Sequence, residues 1–251
     1  EDDQLLMIVD IPMVEKSSVE DGGQMFSTLP MGIVVAQNAV ITVCLEDSII
    51  LRSIAEGAVK GVHTALRTRF VFQILLRVAG RFLKNLRMIE RDFTRIEKRL
   101  YDSLKNEELI QLLGLSKSLV YFSASLKGNE VTMEKVLRGR VLKLYEDDRD
   151  ILEDALIEIR QAIEMAGIYS SILSGTMDAY ASVVSNNLNI IMKVLTVLTI
   201  IMTIPNIIFG FYGMNIEGGG LPGDFVWWIP LLISVAACFF AWFMLKKKNL
   251  D

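Results

Sequence analysis

The sequence predicts an α+β chain: a small strand-bearing domain, then a helical region, then one very long helix that continues into the first of two membrane spans. Three observations carry that expectation. Val- and Ile-rich runs broken by turn residues are confined to residues 5–45, no proline occurs between Pro30 and Pro205, and two long apolar runs lie near the end of the chain. Each of those runs holds about 20 residues, enough to cross a hydrocarbon core as a helix.

The first segment, 1–62, reads as a partial sheet domain. Residues 5–14, LLMIVDIPMV, and 29–45, LPMGIVVAQNAVITVCL, are β-branched and apolar, and Gln37-Asn38 supplies a turn inside the second. Between them Glu15 to Thr28 is polar, with Gly22-Gly23, and reads as a mobile loop. Glu1 to Gln4 is acidic and polar, and the apolar run behind it is interrupted by Asp10 and Pro12, so no signal peptide is expected. The first residue is not Met, which suggests a start inside a larger gene product.

From about Gly61 the pattern turns helical, and 63–131 is assigned to a helical region. Arg77, Arg81, Lys84, Arg87, Arg91 and Arg95 recur every three or four residues beside Phe70, Ile74, Leu83, Leu86 and Ile89, the pattern of a solvated basic face on an amphipathic helix. Polar breaks after Lys105-Asn106 and around Lys127-Gly128-Asn129 predict helical hairpin turns.

Thr132 to Tyr212 is expected to form one helix, with bends open at Gly139, Gly167 or Gly175; 132–187 is its stalk and 188–212 the first span. Eighty residues would reach roughly 120 Å, several times a bilayer. Leu152, Leu156, Ile159, Ile163, Ala166, Ser170, Leu173, Met177, Tyr180 and Val184 alternate by four and three, which describes either a seam between identical helices or a helix packed on its own domain. The segment 213–226 is a short loop with Glu217 and Asp224 but no Lys or Arg. The second span, 227–245, is uncharged, opens on Trp227-Trp228 and is followed by the basic tail 246–251 with Lys246-Lys247-Lys248, so both termini are expected on the cytoplasmic side of the cell membrane.

Composition excludes several classes. Hydrophobic residues make up 52% and charged residues 22%, with a mean hydropathy of +0.40, so a water-soluble part and a lipid-embedded part share the chain. A net charge of −4 and the lack of basic-aromatic clusters argue against a nucleic-acid partner. Cys44 and Cys238 are far apart and His63 is the sole histidine, leaving no disulfide framework, no CxxC or His-rich metal site, and no His-based catalysis beyond a helix-start residue. No Walker loop or nucleophile elbow appears, so an enzyme is not expected.

The two spans differ. On the first, Asn189, Met192, Thr196, Thr199, Thr203, Asn206, Gly210 and Gly213 recur at three or four residues, putting polar, small or flexible groups on one face through the bilayer. Lipid cannot satisfy such a face. Thr and Gly serve commonly as helix-packing glue, but the length of the stripe, its two Asn residues and its continuity with the stalk favour several identical helices around an axial pore. Oxygen ligands without a charged ring suit a hard cation that keeps its water, as Mg2+ does.

The sequence Phe211-Tyr212-Gly213-Met214-Asn215 at the outer end of this span resembles the hallmark Gly-Met-Asn of the CorA family of magnesium transporters, placed as there between two C-terminal spans. Ser174-Gly175, Asp178, Tyr180, Val184-Ser185-Asn186, Asn189, Met192-Lys193 and Leu195-Thr196 also resemble that family's stalk-to-pore junction. The resemblance covers about residues 145–251 and extends upstream as domain organisation. It implies a homopentameric funnel of cytoplasmic domains with five first spans around the pore. Gly213, Met214 and Asn215 would form the entrance, with Asn215 holding the hydrated ion through its amide oxygen. Asn189 and Met192 would make the cytoplasmic-side gate, and Thr196, Thr199, Thr203, Asn206 and Gly210 would line the pore.

The resemblance also implies regulation by intracellular Mg2+ bridging a stalk carboxylate and a neighbouring subunit. Asp154 lies at the matching distance, within an acidic run that includes Asp147 and Asp150, while the partner is sought in Glu15 to Asp21. That run, Glu146 to Asp154, reads equally as an exposed acidic face. The front part is shorter than the family's. Transport of Co2+, Ni2+ or Zn2+ by the same architecture is the first alternative, and a non-conducting membrane-anchored scaffold the second.

Overall fold

A computed structural model of the chain describes residues 4–15, 25–59, 61–103, 106–139, 142, 145–213 and 228–247. It divides into two compact units, Glu1–Met177 and Asp178–Asp251.

The first unit opens with an antiparallel sheet of three strands in order β1 (Leu5–Glu15), β2 (Met25–Val35) and β3 (Val40–Cys44). Opposite Met7 lies Ile33 and opposite Val9 lies Met31, four side chains that are all buried, so the period of two sets a single inner face. The expected hairpin is present, closed by the Ala36 amide donating to the Ala39 carbonyl at 2.8 Å. Arg67 fastens it from outside by donating to the carbonyls of Ala36 and Gln37. β2 starts at Met25, four residues before the expected strand.

Helix α1 (Ile49–Ala55) is a short addition the sequence reading lacked. α2 (Arg67–Ser103) carries the basic stripe, which is solvated from Lys84 to Arg95 but half-buried at Arg77 and Arg81, and its apolar face, including Val71, Ile74, Leu75, Val78 and Phe82, is buried. α3 (Asn106–Leu137) follows. The turn expected around Lys127-Gly128-Asn129 is absent, because Asn129 is only 2% exposed and its amide is bonded to the sheet instead of terminating the helix. The break comes ten residues later. Gly139 adopts φ +69°, and its amide donates to Val136 at 2.9 Å, the left-handed stop that glycine makes at least cost.

The long helix is therefore α4 (Glu146–Tyr212), of 67 residues, and not one beginning at Thr132. Its start accounts for the opening of the acidic run: the Glu146 and Asp148 carboxylates belong to the first turn, at the positive end of the helix dipole. The heptad-like seam is buried within the first unit at Leu152, Leu156, Ile159, Ala166 and Leu173, so up to Leu173 it belongs to the chain's own domain.

Contacts along α4 define its register. Arg69 faces Asp148 at 3.9 Å, a Cβ on Gly80 would lie 3.2 Å from Glu158 Oε2, and Tyr169 donates to Glu90 at 2.8 Å. The residue offset is 78 or 79 in all three pairs, so α2 and α4 run parallel. Arg160 on α4 reaches back to Glu130 and Glu134 of α3 at 2.8 and 2.7 Å. Phe122 of α3 sits at the junction, edge-on to Phe82 of α2 at 5.1 Å and to Phe26 of β2 at 6.1 Å.

In the second unit α4 continues to Tyr212 and α5 (Trp228–Lys247) packs against it. Met214, Asn215 and the rest of the expected loop to 226, with Trp227 and Lys248, lie outside the described residues.

Candidate functional site

The final part of α4 is apolar by composition, yet two of its faces differ. Val197, Ile201, Ile204, Pro205 and Ile208 are half-buried, whereas Asn189, Met192, Thr196, Thr199, Thr203, Asn206 and Gly210 are all exposed. At 100° per residue the centres of these two stripes are separated by about 160°. They occupy opposite sides of the helix.

α5 takes the half-buried stripe, while apolar side chains of α4 outside it, among them Leu195, Leu198 and Met202, stay exposed. On α5, Pro230 and Ser234 are buried and Ala237, Cys238 and Ala241 half-buried, a stripe of small side chains that lets two helices approach closely. The large side chains Leu232, Val235, Phe239, Phe240 and Phe243 remain exposed. The evenly apolar second span expected from sequence thus has one small-residue face. Its longest apolar segment among the described residues is Pro230–Met244.

The two helices also share a polar contact. Pro205 has no amide hydrogen, so the Ile201 carbonyl loses its i+4 donor; the Cys238 thiol supplies a replacement at 3.6 Å. Counting back four residues from Pro205 identifies the deprived carbonyl. Nothing local in the sequence identifies its partner.

The threonines of the exposed stripe are satisfied within the helix. Thr196 donates to the Met192 carbonyl at 2.7 Å, Thr199 to Leu195 at 2.8 Å and Thr203 to Thr199 at 2.7 Å. This corrects part of the sequence argument, in which unsatisfied hydroxyls forced the face out of lipid. The hydroxyl protons need no outside partner, the oxygens keep acceptor lone pairs on the exposed side, and the amides of Asn189 and Asn206 carry the remaining demand. At the end of the stripe the Gly213 amide donates to the Phe209 carbonyl at 2.8 Å.

Among the described residues α3 and α4 are the two helices long and apolar enough to cross a membrane. α3 passes on composition alone, because Leu112, Leu119, Phe122 and Leu126 are buried in the first unit's core.

The carboxylates considered for a regulatory metal do not converge within one chain. Asp150 and Asp154 are exposed, and the side chain of Asp147 lies outside the described residues. Asp148 turns inward toward Arg69 and is 8% exposed. Among the described residues no group of three or more acidic, His or Cys side chains is placed to hold a metal ion. Glu158, which sequence reasoning passed over, has one carboxylate oxygen buried without a hydrogen-bond partner. Burial, and after it the charge of Asp154, pushes its carboxyl above the usual glutamate range.

Comparison with known proteins agrees with this architecture. The chain is 28% identical over 224 residues to the cobalt/magnesium transport protein CorA of Methanocaldococcus jannaschii, spanning 86% of this chain and 67% of that one. It is 35% identical over 115 residues to the cobalt/magnesium transport protein CorA of Thermotoga maritima, spanning 40% of this chain and 32% of that one. The complete structure of the CorA magnesium transporter from M. jannaschii superposes with a TM-score of 0.85 at 23% identity, covering all of this chain and 78% of that one. The structure of the full-length CmaX protein superposes with a TM-score of 0.75 at 17% identity, covering 98% and 75%. The matching family is described as CorA-like Mg2+ transporter protein and extends over residues 1–247. A strand domain, a long helix with one polar face and a second apolar helix behind it are thus found together in a chain that belongs to the CorA-like Mg2+ transporter family.

Proposed function

We propose that this chain is one protomer of a homopentameric membrane channel that passes hydrated Mg2+ down its gradient into the cell. The observation that carries this reading is the opposition of two faces of α4: its own second span covers one apolar stripe and leaves the Asn189 to Gly210 stripe on the opposite side uncovered, with exposed apolar side chains such as Leu195 and Met202 around it. Other copies of the chain arranged around an axis would give that stripe a wet interior.

The chemistry of the stripe fits a cation that crosses with its water. Threonine oxygens whose protons are committed to the helix act as acceptors for coordinated water, and the Asn189 and Asn206 amides add carbonyl oxygens. A ring of such dipoles holds a divalent ion less deeply than carboxylates would, so the ion can leave. Gly213, Met214 and Asn215 form the entrance in this reading, with Asn215 receiving the hydrated ion, and Asn189 and Met192 form the gate. Both termini are cytoplasmic, on the charge asymmetry of the loops.

Intracellular Mg2+ regulates the channel through Asp154, with Asp150 and Asp147 near it. The hard oxygen donors suit the ion, and because Asp150 and Asp154 are exposed and too few alone, the remaining ligands come from a neighbouring copy. Such a switch works only if Mg2+ binds the closed state more tightly than the open one.

Conduction is tested by Mg2+ influx into proteoliposomes, comparing the chain with Asn215→Ala and adding Co2+ or Zn2+ as competitors. Influx that is lost in the variant supports the pore. A folded, oligomeric chain that admits no Mg2+ at any internal concentration overturns it in favour of a scaffold. Dominant uptake of Co2+, Ni2+ or Zn2+ reassigns the cargo within the same architecture.

A further inference from the structure

Within the first unit, α2, α3 and α4 meet around a cavity of about 180 Å3. Leu119 and Leu173, buried, form its floor, while Phe93 and Ile172 line it higher up. Its polar side is the Tyr169 hydroxyl donating to Glu90 Oε2 at 2.8 Å, beside Thr94, whose hydroxyl proton is committed to the Glu90 carbonyl at 3.0 Å. We propose that this cavity binds a small amphiphilic cation, a primary ammonium carried on a compact apolar body of about six to ten non-hydrogen atoms.

Size and charge each narrow the ligand. An apolar cavity of about 150 Å3 engineered in another protein accommodates benzene, so one six-membered ring with a short arm fits here. Glu90 is exposed at the rim and, among the described residues, engages in no ion pair. Phe93 and Tyr169 offer ring surfaces, which attract cations. The opposing charge is Arg87, one turn earlier on α2. At Tyr169 its effect is the smallest: burial, then the hydrogen bond to Glu90 and then the charge of Glu90 push the phenol up to about 12, against Arg87. A carboxylate ligand would meet Glu90 as a like charge, and a neutral one would gain at most a hydrogen bond without the ionic attraction. The site lies apart from the polar stripe and the acidic run, and it does not depend on conduction.

The experiment is 19F NMR of 4-fluorobenzylammonium with the full chain in nanodiscs, with 4-fluorobenzyl alcohol and 4-fluorobenzoate as controls. Saturable broadening of the ammonium probe with a Kd on the order of 1 mM is expected for a ligand of this size. Ile172→Trp, at a position 49% exposed in the free chain, fills the mouth and is expected to abolish the broadening. Glu90→Gln, which keeps an acceptor for Tyr169, is expected to weaken the ammonium about tenfold and leave the alcohol unchanged. Broadening that never saturates, that survives Ile172→Trp, that is equally strong for the benzoate, or that falls equally for ammonium and alcohol in Glu90→Gln would overturn the proposal.

Discussion

The thiol of Cys238 donates to the carbonyl of Ile201 across 3.6 Å, replacing the amide that Pro205 removes from the helix ladder. A backbone acceptor without a donor is costly in hydrocarbon, and a thiol is a weak but sufficient donor. Cys238→Ala is expected to destabilise the α4–α5 pair by about 0.5–1 kcal/mol, whereas Cys238→Ser keeps or strengthens it. In a Pro205→Ala background, where the amide is restored, the cost of Cys238→Ala should vanish. A double-mutant cycle on unfolding in detergent reads the coupling, and equal losses in both backgrounds would refute the pairing.

Asn129 performs a similar task at the sheet edge. Its side-chain oxygen accepts from the Asp10 amide at 2.8 Å and its amide donates to the Asp10 carbonyl at 2.7 Å, closing a ring between residues 119 apart. Among the described residues β1 is an edge strand, so no further strand offers these outward-facing Asp10 groups a partner. Asn129→Leu leaves both Asp10 groups unpaired, at a cost of about 2–4 kcal/mol. Circular dichroism melting should place its first transition several degrees below that of the unsubstituted chain.

Phe122 joins three elements through its edge-on contacts with Phe26 and Phe82. Phe122→Ala opens a cavity in a fully buried position and is expected to cost about 3–5 kcal/mol, while Phe122→Leu costs less than half of that. Urea unfolding followed by far-ultraviolet dichroism compares the two; near-equal midpoints would mean that the site collapses around the loss.

Glu158 gives a pH-dependent prediction. Its carboxyl is raised in the folded state, so the fold binds that proton more tightly than the unfolded chain does. The stability it contributes is fully present below the unfolded glutamate pKa and is lost as pH rises through the folded one. Glu158→Gln should therefore be more stable than the unsubstituted chain at neutral pH and no more stable near pH 4. Melting temperatures across that range check the sign, and a gain that grows toward acid would contradict it.

The threonine stripe separates pore from packing glue. Thr199→Val removes an acceptor oxygen at nearly constant volume while leaving the helix ladder intact. If the stripe lines a pore, Mg2+ influx should fall roughly tenfold, about 1.4 kcal/mol of barrier, with the oligomer unchanged on native gels. Dissociation of the oligomer with influx per assembled channel preserved would mean that the face packs helices instead.

Local periodicity by itself determined much of this protein: the β hairpin around Gln37-Asn38, the basic face of α2, the long helix, its polar stripe and the apolar helix behind it. These properties depend on residues within a turn or two of one another, and 3.6- and 2-residue repeats record them directly. The ends of α3 and α4 were decided elsewhere. Lys127-Gly128-Asn129 has turn composition, yet Asn129 is held inside a helix because its amide finds the edge of β1. Gly139 makes the stop instead, and the new start at Glu146 turns an acidic run into a helix-terminal feature. The tertiary structure alone also placed α5 on the side of α4 opposite the polar stripe, matched Cys238 to the Ile201 carbonyl and enclosed the cavity beside Tyr169. Those outcomes depend on which distant groups meet when apolar surface is buried, and a linear pattern records the demand for a partner without recording which partner answers it.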